Sequence, residues 1–342
     1  MIPRSSASGL FIPINMNKHY KLLLIGLIFL SSCSVGTGNW NDHIDAESRA
    51  QIKTLNDKMI DALHDNNPQK LREIFSVKLK EKSGADLDAF VSKVHESFES
   101  TKYSLLDEYL TNGSAVGTTA IVFKGVSGEY DYKINYEPQT KETYISLVIN
   151  DGIAHKVLLT CIYGKYGDDW KLNVLKIGDY SYFGKNAVDF YKQAKTNYAS
   201  GNLIDAADDI AMVQRTAAPA EQLFQYQKED EMKEFATKVM TEANSKFPLP
   251  MKIADVKTNP QVYNISPKVM RDGIFPMVTY ISKIDLKDTV ALKKENEELK
   301  KVIGTIFPGI EKGKKFVFFQ AYNEVPNGNT PTEHYGFVLR NE

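Results

Sequence analysis

Residues 145–174, ISLVINDGIAHKVLLTCIYGKYGDDWKLNV, read as three strands joined by two turns. Ile145, Leu147 and Ile149 alternate on one face, and Asp151-Gly152 turns the chain. Val157, Leu159, Cys161 and Tyr163 alternate next. Gly164 to Asp169 form a hairpin loop, and Trp170, Leu172 and Val174 begin the returning strand. Upstream, Tyr130, Tyr132, Ile134 and Tyr136 alternate with Asp131, Lys133, Asn135 and Glu137, the pattern of a half-exposed strand. Segments 103–111 and 117–124 are also strand-like, so about six strands are expected. Before them, residues 44–100 read as three helices. Ile52, Leu55, Met59 and Leu63 make one apolar stripe. Asn67-Pro68 is a cap followed by proline in the first turn, with Leu71, Ile74 and Phe75 inward. The third helix starts near Asp86, with Leu87, Phe90, Val91, Val94 and Phe98 inward.

Helices followed by a curved antiparallel sheet give an α+β reading. The helix-turn-helix Ala62-Leu63-His64-Asp65-Asn66-Asn67-Pro68, with Leu71 and Phe75, resembles the nuclear-transport-factor-like (SnoaL-like) α+β cone. So does the closing hairpin Gly167-Asp168-Asp169-Trp170-Lys171-Leu172. The resemblance implies a domain over residues 44–182 in which the sheet wraps the first helix. That fold hosts isomerases, dehydratases, transport factors and binding modules, so it names no activity. Residues 183–247 read as a helical segment. Phe190, Ala194, Tyr198, Gly201, Ala206, Ala207 and Ile210 resemble a single tetratricopeptide-like hairpin, and 220–246 reads as a solvated amphipathic helix. Phe247-Pro248-Leu249-Pro250 marks a boundary. Residues 248–342 then read as a small ββαββ α/β domain. Its strands are expected near 251–264, 274–284, 315–324 and 334–340. Asp288 caps a helix whose inner face is Leu292, Leu299, Ile303 and Ile306, and Pro326-Asn327-Gly328-Asn329 is a turn.

The amino-terminal stretch sets the location. Lys18 and Lys21 precede a nine-residue apolar run, Leu22–Leu30, and then Ser31-Ser32-Cys33. A bilayer-spanning helix needs roughly 20 residues, so the run is a secretory leader. Leu30-Ser31-Ser32-Cys33 resembles the bacterial lipobox. The resemblance implies diacylglycerol on the Cys33 thiol, cleavage before Cys33 and removal of residues 1–32. Met1–Asn15 fits no part of such a leader. Met16 is the expected start, the alternative being an unusually long n-region. Residues 33–43 read as a flexible, lipid-anchored tether. By the same resemblance Ser34 favours the outer membrane, and the uncharged segment after it favours the periplasmic side.

Among 342 residues, 42 Lys+Arg balance 43 Asp+Glu, for a net charge of −1. Loss of Arg4, Lys18 and Lys21 with the leader makes it −4. That balance argues against nucleic acid as a partner. It also makes Lys312-Gly313-Lys314-Lys315 before Phe316, Phe318 and Phe319 a turn entering a buried strand. Asp288-Thr289-Val290 matches a short O-glycosylation pattern but reads first as a helix cap. No phosphate loop, dinucleotide fingerprint or nucleophile elbow occurs. His43, His64, His95, His155 and His334 show no metal-ligand spacing, and Cys161 reads as a core residue. No cofactor or metal is expected. Polar residues placed near the mouth of a cone are Asp107, Glu129, Asp131 and His155, and none is assigned a catalytic role. The reading favours non-catalytic binding of a peptide, protein or small ligand. The alternative is a cone-fold enzyme of isomerase or dehydratase type acting on a hydrophobic envelope metabolite.

Overall fold

A computed structural model of the chain describes residues 37–341, apart from 97, 99, 153 and 327–330. Cys33, the leader before it and most of the Pro326–Asn329 turn lie outside the described residues. The described chain is α+β, with eight α-helices and three sheets rich in antiparallel pairs, none closed.

The tether expected over 33–43 is corrected from Thr37 onward. Thr37–Trp40 is a strand, β1, and Asn41–His43 is a 3-10 turn. β1 pairs antiparallel with the strand Tyr103–Asn112, Thr37 opposite Asn112 and Trp40 opposite Tyr109. Backbone pairing at a sheet edge asks little of the side chains, which is why a Gly/Asn/Thr stretch can dock there. Asn41 locks it. Its backbone is left-handed (φ 47°), a conformation asparagine tolerates. Its Nδ2 donates to Asp107 Oδ1 at 2.8 Å, and its Oδ1 accepts from the Glu108 backbone N–H at 2.8 Å.

Four helices follow, not three: α1 (Ala46–His64), α2 (Pro68–Glu73), α3 (Val77–Ser83) and α4 (Asp86–His95). Asp45 caps α1 by accepting from the Ser48 N–H, and Asn67 caps α2 ahead of Pro68. The extra helix, α3, has only Val77 and Leu79 as large apolar residues, too few to mark a separate apolar stripe. Ser76 caps it, and none of its residues is buried.

Six strands come next: β2 (Tyr103–Asn112), β3 (Ala120–Phe123), β4 (Tyr132–Tyr136), β5 (Thr143–Asn150), β6 (His155–Tyr166) and β7 (Asp169–Tyr182). They divide between two sheets. β1, β2, β5, β6 and β7 form a five-stranded antiparallel sheet in that order. β3 and β4 leave it and pair with a strand from beyond α5 (Ala187–Ala199) and α6 (Leu203–Thr216). That strand, β8 (Phe224–Tyr226), corrects the single helix expected over 220–246, which begins only at α7 (Glu229–Lys246). Phe224 and Tyr226 are buried, and the Phe224 ring stacks on Tyr132 at 4.5 Å. Burial of two aromatics outweighs the helix propensity of their neighbours.

The carboxy-terminal elements are β9 (Met251–Lys252), β10 (Gln261–Met270), β11 (Gly273–Ile281), α8 (Thr289–Ile306), β12 (Phe316–Tyr322) and β13 (Tyr335–Arg340). Their sheet runs β13-β12-β11-β10-β9, with β11 and β12 parallel across α8. The strand expected over 251–264 is interrupted, because Asn259 turns left-handed (φ 52°) before Pro260.

A core lies on each face of the first sheet. Ile52, Met59, Leu63, Phe75 and Val91 pack on one face against Val148, Leu159, Cys161 and Tyr163. On the other face, Ile145, Leu147, Leu158 and Ile162 join Phe190, Ile210 and Phe224, in one cluster with Leu299 and Phe319. All eight residues of β5 are buried, as a central strand covered on both faces requires.

Candidate functional site

The space between α1 and the sheet is occupied by side chains. Asn56 Nδ2 donates to Ser146 Oγ at 2.9 Å, and the Tyr163 hydroxyl donates to Asn56 Oδ1 at 2.8 Å. Cys161 Sγ lies 3.5 Å from Met59 Sδ, and burial pushes the thiol up, away from a reactive thiolate. All five residues are buried.

The four polar residues placed near a mouth do not meet. Asp107 is buried, held by Asn41, by the Tyr132 hydroxyl at 2.5 Å and by Lys124 Nζ at 3.2 Å. Glu129 and Asp131 precede β4 rather than lying on it. Glu129 pairs with Lys192, and Asp131 accepts from the Ser127 and Gly128 N–H groups. His155 sits at the other end of β6, 2.9 Å from Asp179 Oδ1. Burial alone would raise Asp179, but hydrogen bonds from His155 and from Tyr182 at 2.7 Å outweigh it and lower its pKa. The His155 ring stacks on Tyr182 at 4.4 Å, and Arg215 lies over the Tyr182 ring at 5.6 Å.

Open space lies instead along β7. This strand ends the sheet order, and among the described residues it has isolated bridges only at its last residue Tyr182, to Lys185, and at Leu172, to Phe75. There the Ser76 N–H donates to Leu172 O at 2.9 Å, and the Leu172 N–H donates to Ile74 O at 2.8 Å. These bonds pin the start of α3 beside the edge. Gly84 (φ 45°) ends α3 and reverses the chain into α4. Beneath α3 lies a groove of about 700 Å³, within the range of ligand sites. Phe75, Leu79, Leu87 and Phe90 line it from the helices, Ile162, Val174 and Leu175 from the sheet, and Leu223 from the segment before β8. Lys78, Lys82, Lys176, Asp86 and Glu137 stand around it. Phe90, expected in the core, is 36% exposed and faces this groove. A shallower depression of about 360 Å³ continues past α3, lined by Val77, Val116, Pro138 and Tyr166.

A cleft of about 310 Å³ separates α5 and α6 from the β10–β11 turn. Asp205, Asp208 and Asp209 of α6 line it with Lys314 and Asp272. Asp205 pairs with Lys314 at 2.9 Å. Asp209 accepts from Gln193 Nε2 at 2.9 Å and from Asn197 Nδ2 at 2.7 Å, yet burial pushes it up to about 6. Loss of water, then the neighbouring Asp205 charge, pushes Asp208 up to about 8. Neither acid was singled out from sequence; the run Asp205-Ala206-Ala207-Asp208-Asp209 was the available sign. Among the described residues, no group of three or more His, Cys, Asp or Glu side chains is placed to hold a metal. No described helix is long and apolar enough to cross a membrane.

No family model matches the chain, and neither a curated protein nor a solved structure matches it.

Proposed function

We propose that the chain is a lipid-anchored bacterial envelope protein, acylated at Cys33, that binds an extended peptide or protein segment without catalysis. In this reading it sits at the outer membrane, facing the periplasm. Its 44–182 region is a nuclear-transport-factor-like cone, 183–247 a mainly helical segment that lends β8 to the β3–β4 sheet, and 248–342 a small ββαββ domain built around α8. The lipobox Leu30-Ser31-Ser32-Cys33 supports the anchor. The order of helices then strands, with α1 on the sheet, supports the cone.

The groove beside β7 carries the binding function. It joins an apolar floor to an open strand edge, and strand addition uses both: main-chain bonds for affinity and side-chain pockets for specificity. The test is hydrogen exchange on a soluble version, residues 34–342, titrated with a library of extended apolar peptides. A binder should slow exchange at residues 173–177, and Phe90→Glu should weaken it by about tenfold or more, the effect of placing a charge on an apolar contact. Protection appearing elsewhere, or binding indifferent to Phe90→Glu, contradicts the reading.

One observation favours the enzyme alternative. Asp209 and Asp208 are desolvated acids in a cleft, the setting that tunes a carboxyl for proton transfer. Turnover in a hydrolase and isomerase screen, lost in Asp209→Asn, would establish it over binding.

A further inference from the structure

The docking of β1 changes what the lipid anchor can do. A free tether from Cys33 to His43 would allow the body to drift roughly 35–40 Å from its lipid. With Thr37 fixed on the sheet, only Ser34, Val35 and Gly36 separate it from Cys33, four steps that span at most about 14 Å. The register shows which end is held. Gly38, Thr111, Thr143, Gly164 and Lys171 lie in one row across the five strands. The β6–β7 turn therefore projects at the Thr37 end, and so does the loop after Asn112, whose Gly117 N–H donates to Pro138 O of the β4–β5 loop. That end carries exposed apolar side chains set among charged ones. Val77 is 73%, Val116 56% and Tyr166 42% exposed, and all three line one depression. The opposite end, at Tyr103, lies about 30 Å further along β2.

We infer that the Val77, Val116 and Tyr166 cluster rests on the surface of the bilayer that holds the Cys33 lipid, so that the body stands on the membrane at a fixed end. The inference rests on the anchor reading given above. Tether length argues for this occupant: Thr37 stays within about 14 Å of the lipid, and the cluster lies at the same end of the sheet. Lys78 stands there beside Glu81 and Glu137, and Lys141 and Lys165 beside Glu142, so charges of both signs surround the apolar side chains and the contact does not call for anionic lipid. Tyrosine suits such an interface, with an apolar ring and a polar tip. The depression joins the β7 groove through shared Lys78, Glu137 and Gln139, which opens the groove at the membrane side of α3.

The test uses the full lipidated protein in phosphatidylethanolamine vesicles that carry a headgroup spin label. A fluorophore is placed at Val116→Cys, or at Lys102→Cys at the far end; Cys161 is buried and escapes labelling. Quenching at residue 116 should exceed that at residue 102 by at least about twofold. Inserting twelve Gly/Ser residues between Gly36 and Thr37 should bring the two together while the protein still floats with vesicles. Equal quenching in the uninserted, floating protein overturns the orientation and leaves the anchor intact. A protein that does not float overturns both.

Discussion

Asn56 shows what a single side chain settles. It bridges helix and sheet inside the first core. Asn56→Ala strands the Ser146 and Tyr163 hydroxyls and opens a hole, so we expect a loss of about 2–4 kcal/mol in urea unfolding. Asn41→Ala removes two bonds and puts alanine in a left-handed backbone. A loss of about 2 kcal/mol is expected, with faster exchange of the β1 and β2 amides. Asp209 gives a pH test with a definite sign. Its folded pKa, near 6, lies above its unfolded value, so the native state binds the proton more tightly. Its contribution is favourable in acid and lost as pH rises through about 6. Between pH 4 and pH 8 the stability of Asp209→Asn should therefore gain about 1–3 kcal/mol on the wild type, read by denaturation at both values. These residues differ in legibility. Cys161 was readable as core, because strand parity ties it to Val157, Leu159 and Tyr163. Asn56 and Asp209 were not, since a polar residue on a helix flank looks the same whether it meets water or a buried partner.

Among the elements, periodicity located most strands and missed what pairs with them. The alternation in β4 is seen in the structure, with Tyr132, Ile134 and Tyr136 buried. The second cover on β5 was not legible, because it comes from helices and strands that begin beyond residue 186, across the loop after β7. β10 shows why breakers mislead. Pro267 would demote a central strand, but it lies opposite Pro276 of β11, so neither proline faces a partner whose pairing it spoils. The groove beside β7 was not legible because no separate helix was expected over Val77–Ser83, where Ser76 caps α3. Gly84 tests that helix. Gly84→Ala imposes a side chain on a left-handed turn in open space, and should cost about 1 kcal/mol while leaving the rest of the fold unchanged in amide exchange.

For the whole molecule, the two cores share one sheet, and the tether is built into that sheet's edge. If Cys33 carries the proposed lipid, the groove opens at the end of the sheet where β1 enters it. The proposed location rests on the shortest stretch of sequence, since a covalent lipid site needs only a short local pattern. The ligand was the least legible, since a groove is assembled from residues 75 to 223. Everything proposed about setting meets at the Cys33 sulfur. Intact mass of the amino-terminal peptide from envelope-extracted protein is the direct measurement. We expect a chain that begins at Cys33 and carries diacylglycerol, and release of the protein from envelope vesicles in Cys33→Ser. An uncleaved leader with a free Cys33 thiol would contradict the anchor, the proposed location and the membrane-facing end together.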